Sequence, residues 1–167
     1  MSRRSRLAAL TASLAVALAT ATAPATAASP GALFAKGFNT CKAVPLAAIQ
    51  KAGGQKYGAG VFQVSVCTWK TSGAKAEITL STYPTSIGTM TMNTILTLNG
   101  KGGNKAVKVS VPGASKAVLE TTPPQNGEVH KALFVLFPKG VLSVSMTSPG
   151  SLADSRPFAV VKALTCA

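Results

Sequence analysis

Polar and apolar residues alternate over Lys75–Tyr83, with Ala76, Ile78 and Leu80 on one side and Lys75, Glu77, Thr79 and Ser81 on the other. A period of two is that of a half-buried strand. The same alternation reads through Val61–Lys70. Phe62, Val64 and Val66 share one face there, and Gln63, Ser65, Cys67 and Trp69 share the other. Ser72-Gly73 joins the two runs as a hairpin turn. Further strands are expected near Lys105–Val111 and Lys116–Thr121, separated by Pro112-Gly113. Pro123–Gly127 reads as a turn. Val129–Phe137 carries the run ALFVLF, apolar on both faces, which places it in the middle of the sheet. Pro138-Lys139-Gly140 turns the chain back into a partner strand, Val141–Thr147.

Helical spacing appears in three places. Pro45–Ala52 is a short helix, with proline in its first turn and Gly53-Gly54 as its stop. Thr85–Leu98 places Ile87, Met90, Thr94 and Leu98 near one stripe, with Ile95 beside it, and Asn99-Gly100 ends it. A last helix starts at about Leu152 or Ser155 and runs to Leu164, with Phe158, Val161 and Leu164 on its buried side. The order is helix, two strands, helix, about four strands, helix. Hairpin-length connections predict an α+β fold with a mostly antiparallel sheet of about six strands, packed with three helices.

The N-terminus changes the picture of where this domain works. Arg3, Arg4 and Arg6 precede an Ala/Leu/Val run from Leu7 to about Ala19, and Ala25 and Ala27 sit two apart. That is the layout of a signal peptide over residues 1–27. The apolar run is too short for a good membrane span, and no cysteine near the cleavage point offers a lipid anchor. The expectation is a secreted protein, extracellular or associated with the cell wall. Arg3-Arg4 fits a twin-arginine signal, but Arg6 stands where that signal prefers Phe, which favours ordinary export. Residues 28–38 read as a short tail broken by Pro30 and Gly31, and residues 39–167 as one domain.

The whole chain has 17 basic and 4 acidic residues. Residues 1–27 hold three arginines and no acid, so the remainder carries a charge of about +10. Such a bias predicts attraction to an anionic cell-wall polymer or an acidic lipid surface. Every basic residue after position 27 is Lys except Arg156. Lysine is a hydrated point charge, whereas arginine is the usual choice for two-pronged phosphate recognition, so diffuse adhesion is expected over a shaped phosphate pocket.

Three cysteines allow at most one internal bridge. Cys41 precedes the first helix and Cys67 lies on the next strand, so a Cys41–Cys67 staple is the expected pair. Cys166 is left free, paired between chains, or the true partner of one of the others. A redox site wants Cys-x-x-Cys and a zinc site about four ligands, and the chain shows neither. Trp69 shares a face with Cys67 and packs on the bridge, or else serves as a ligand-stacking ring.

Cys41, a short helix ending in Gly53-Gly54, and then Cys67-x-Trp69 form a pattern. It resembles a family of actinobacterial secreted proteins and lipoproteins of unknown function, similar to extracellular sensor domains of mycobacterial serine/threonine kinases. The resemblance implies a PsbP-like α/β/α sandwich, a Cys41–Cys67 disulfide and a non-enzymatic role, and it supplies no catalytic residues. This chain differs in lacking a lipid-anchor cysteine, in having Cys166 and in being strongly basic.

Catalytic chemistry finds few groups. Glu128 and His130 share a face of one strand, but there is one His in all and no Gly-x-Ser-x-Gly elbow. Four scattered acids do not assemble a glycosidase pair. The expectation is a non-enzyme with no cofactor. GKGGNK, Gly100–Lys105, follows a helix rather than a strand, so it reads as a basic connector and not a phosphate loop. Lys101, Lys105 and Lys108 are the candidate anion contacts. The aromatics Phe62, Tyr83, Phe134 and Phe137 sit at core-like positions, which disfavours nucleic acid as a partner. The function expected is a binding or sensor-like module for an anionic envelope component or small ligand. The alternative is an inhibitor or interaction protein that grips another exported protein through the loop Pro123–Gly127.

Overall fold

A computed structural model describes residues 31–73 and 75–165. The expected signal segment and Cys166 lie outside those residues. The described chain is α+β, built on an antiparallel seven-stranded sheet. In chain order it runs α1 (Thr40–Ala43), α2 (Leu46–Gly53), β1 (Val61–Gln63), β2 (Val66–Lys70), β3 (Glu77–Tyr83) and α3 (Thr85–Thr97). It continues with β4 (Lys105–Val109), β5 (Lys116–Gln125), β6 (Glu128–Phe137), β7 (Gly140–Pro149) and α4 (Ser155–Thr165). The order across the sheet is β1-β2-β3-β7-β6-β5-β4. No helix among the described residues is long and apolar enough to cross a membrane.

The hairpin β6–β7 is the axis. Phe137 faces Gly140 and the ladder continues without a break to Glu128 opposite Pro149. One face of this pair is apolar through its centre: Leu133, Val135 and Phe137 from β6 join Leu142, Val144 and Met146 from β7 in the main core, with Lys131 and Ser148 toward the far end of the same face. Ile49 and Ala52 from α2 and Val160, Val161 and Leu164 from α4 complete it. On the other face α3 seals a smaller core of Met92, Ala106, Val118 and Val141.

Five features differ from the sequence expectation. Val61–Lys70 is a hairpin rather than one strand, because Val64 takes φ +57° and reverses the chain. A β-branched residue rarely holds that conformation. Phe62 therefore lies opposite Cys67 and packs toward the main core instead of away from it. Secondly, β5 passes through Pro123 and Pro124 to Gln125, and the turn is only Asn126-Gly127, both at positive φ as a tight hairpin demands. Thirdly, α1 is an additional short helix whose first turn is capped by Asn39 Oδ1, accepting from the N–H of Cys41 and of Lys42. Fourthly, the N-terminal stretch is not a loose tail where it is described. Leu33 is fully buried, and the Phe34 ring lies 6.2 Å from that of Phe137.

The largest departure is the rotation of α3. Gly88 and Met92 face the sheet with Ile95 and Leu96 beside them, while Ile87, Met90 and Leu98 are 49%, 65% and 43% exposed. The reason is a close approach: a methyl placed on Gly88 would fall 2.2 Å from Val141 Cγ2. The helix is seated by its glycine, and the stripe of Ile87, Met90 and Leu98 is turned outward.

The N-terminal end of α4 is tied down twice. Arg156 Nη1 donates to the carbonyl of Gly53 at the C-terminal end of α2, where a cation also suits the helix dipole. Lys131, 8% exposed on β6, pairs with Asp154 just before α4. The Tyr57 ring lies on Gly53, leaving no room there for a Cβ. Burial pushes the Tyr57 phenol above its ordinary pKa, with the Arg156 charge pulling partly back.

Two outcomes follow. Gly88→Ala is expected to lower stability by about 1–2 kcal/mol, overpacking against Val141 outweighing the gain in helix propensity. A denaturant midpoint equal to or above wild type would show that α3 does not sit on Val141. For Tyr57, a raised folded pKa means its contribution is complete below the unfolded value of about 10 and drains as pH rises through the folded one. Tyr57→Phe should therefore lose less stability than wild type between about pH 9 and pH 11 in parallel denaturant melts. Equal losses would sink this account.

Candidate functional site

Cys41 and Cys67 form a disulfide, with Cα atoms 5.2 Å apart, tying α1 to β2. Cys67 is fully buried, and Trp69, two residues on along the same face, is 1% exposed. The chain passes over both at Gly60, where a Cβ would lie 2.6 Å from Trp69 Nε1 and 2.7 Å from Cys67 Sγ. The Trp69 ring is therefore enclosed and offers no open face on which a ligand would stack. This corner packs as a structural staple.

The candidate anion contacts do not converge. Lys101 lies in a one-turn 3-10 segment after α3, and Lys105 and Lys108 lie on the edge strand β4. Being three apart on a strand, Lys105 and Lys108 point to opposite faces. Lys108 pairs with Val118 on the α3 side, and Lys105 pairs with Thr121 on the other. Other exposed lysines lie on many elements, among them Lys42 and Lys51 on α1 and α2, Lys70 on β2, Lys139 in the β6–β7 turn and Lys162 on α4, with Lys36, Lys56 and Lys75 in the connections. Among the described residues, the ion pairs are Lys70–Glu77, at 3.0 Å, and Lys131–Asp154. Positive charge is spread over the surface and mostly unpaired with acid.

Part of the sheet is uncovered. Because α3 packs over β4–β7, the α3-side face of β1–β3 is left open. A groove of about 430 Å³ lies there, lined by Val61, Gln63, Val66, Thr68, Lys70 and Glu77 among others. Its floor is rich in hydroxyls. Thr79 Oγ1 donates to Glu77 Oε1 at 2.9 Å, and Thr68 and Thr79 hydroxyls lie 3.5 Å apart. Continuing across the sheet on this face are Ser145 and His130, whose Oγ and Nε2 lie 2.6 Å apart.

Glu128 and His130 share that face of β6, as their spacing predicts, but the imidazole is engaged with Ser145 instead. A serine beside an imidazole is half of a nucleophilic site. The other half is a pair of free N–H donors for an oxyanion. Here Ser145 and His130 sit on neighbouring interior strands, and the β6–β7 ladder runs unbroken past them. That backbone is committed to the sheet. Ser145 was legible in principle, since a two-residue turn at Pro138-Lys139 fixes the register that brings it diagonally beside His130. Among the described residues no group of three or more His, Cys, Asp or Glu is placed to hold a metal ion.

No protein-family model matches this chain, and no curated protein sequence matches it.

Replacing Cys41 and Cys67 by serine is expected to lower stability by about 3.5 kcal/mol, the loop-closure value for a sequence separation of 26 residues. Emission from Trp69, the sole tryptophan, follows the unfolding. A loss below about 1 kcal/mol would mean that the corner holds without its bridge.

Proposed function

We propose that this protein is an exported, non-enzymatic binding module of the bacterial cell surface that holds an anionic envelope component by non-covalent contact. The observation that carries the reading is the surface charge: lysines exposed on many elements, with Lys70 alone among the exposed ones reaching a carboxylate of the described residues. Cations not neutralised from within the protein are available to anions outside it. The disulfide supports export, since such bonds persist in oxidising compartments. The Cys41, Gly53-Gly54, Cys67-x-Trp69 pattern supports kinship with the actinobacterial secreted family and the kinase sensor domains it resembles. The closed ladder beside His130 and Ser145 favours binding over nucleophilic chemistry.

Lysines dispersed in this way suit a polymer or a surface better than one small anion. Each cation contributes modestly, and the sum falls steeply with salt. The protein is expected to be retained on isolated cell walls at low ionic strength and released as salt approaches about 1 M, where the screening length shrinks to about 3 Å. Retention unchanged across that range would overturn the electrostatic reading. A salt-resistant protein partner recovered from culture fluid in its place would support the inhibitor alternative.

A further inference from the structure

The outward face of α3 is unlike the rest of the surface. The helix TSIGTMTMNTILT contains no charged residue, and between Lys75 and Lys101 the only charge is Glu77. Ile87, Met90 and Leu98 stand out from it. Its threonines add to this apolar character. Thr91, Thr94 and Thr97 each donate the hydroxyl to the carbonyl four residues back, Ile87, Met90 and Asn93, at 2.9–3.0 Å. With the hydroxyl engaged on the backbone, Thr94 and Thr97 offer less polar character than their type implies, and Ser86, Thr89 and Asn93 are the other uncharged polar residues of this face.

Lysines border this apolar face. Lys101 follows the C-terminal end of α3, its N–H bonded to the carbonyl of Leu98. Lys116 Nζ reaches Asn93 Oδ1 at 2.7 Å on one flank. Lys108 projects from the β4 edge on the α3 side. Lys139 lines a shared hollow with Pro84 at the start of the helix. The acids on this side, Glu77, Glu120 and Glu128, lie on the sheet itself. They are set back from the crest of α3 by about the 10 Å thickness of a helix, which is about one screening length.

We infer that α3 is a docking face for an acidic lipid bilayer, lying flat with Ile87, Met90 and Leu98 at the level of the acyl boundary and the lysine rim on the headgroups. An apolar crest ringed by cations is the arrangement that binds anionic lipid surfaces, the apolar area and the charges acting together. A second copy of this chain would bring the same lysine rim against itself and meet like charge. The inference rests on the anionic-contact reading above and narrows it to one surface and one partner.

The test uses co-sedimentation of the protein with vesicles of phosphatidylcholine alone or with about one-third phosphatidylglycerol, beside retention on isolated lipid-free cell walls. Wild type is expected to bind the anionic vesicles and not the neutral ones. Met90→Asp, and separately Ile87→Asn with Leu98→Asn, should weaken vesicle binding about tenfold or more while leaving cell-wall retention and the thermal midpoint unchanged. Vesicle binding unaffected by these exposed substitutions would overturn the role of α3. So would retention on walls with no vesicle binding at all, although the general anionic reading would survive that result. Loss of both would remove both readings. A concentration-dependent dimer abolished by Met90→Asp would assign the face to a second copy and overturn the lipid assignment.

Discussion

The two faces of the β6–β7 hairpin are unequal, and most of the molecule follows from that inequality. A ten-residue ladder sends Leu133, Val135, Phe137, Leu142, Val144 and Met146 to one side. To the other it sends Ala132, Phe134, Leu136, Val141, Ser143 and Ser145. The first set demands a thick apolar cover, which α2, α4 and the stapled α1 provide. The second set is apolar only toward one end, so a single helix suffices there. What remains uncovered is open sheet, floored by hydroxyls, running from β1 to His130.

The fittings around this axis keep the heavy layer in place. Arg156 joins the end of α2 to the start of α4, Lys131 holds Asp154, and the Cys41–Cys67 bridge fixes α1 on β2. Arg156 and Lys131 are thereby removed from the pool of cations that face outward. The basic character of the surface is left to exposed lysines, flexible and strongly hydrated, and therefore suited to many weak contacts.

Much of this was legible in the chain. Strict alternation located β3, the all-apolar ALFVLF run located an interior strand, β6, beside the central β7, and turn residues set the β6–β7 pairing. The cysteine pair followed from the order of helix and strand. Other features were hidden for definite reasons. Val64 carries no turn signal, being β-branched and apolar, so the β1–β2 reversal reads as continuous strand. In α3 two apolar stripes compete, Ile87/Met90/Leu98 and Met92/Ile95/Leu96, and periodicity cannot rank them. The deciding residue is Gly88, which contributes nothing to a hydrophobic pattern and everything to how near the helix comes to Val141. His130 and Ser145 needed the register as well as the residues, because neither marks the other in sequence.

An open sheet has two rims where unpaired backbone groups invite another chain to add itself as a further strand. On one rim β1 has only three residues, too little backbone for a firm graft. On the other, Lys105 and Lys108 stand on opposite sides of β4. An incoming strand in either register would have to lie alongside an ammonium group. The same lysines that fail to form a pocket thus guard the border of the sheet, and its seven strands are kept from recruiting an eighth.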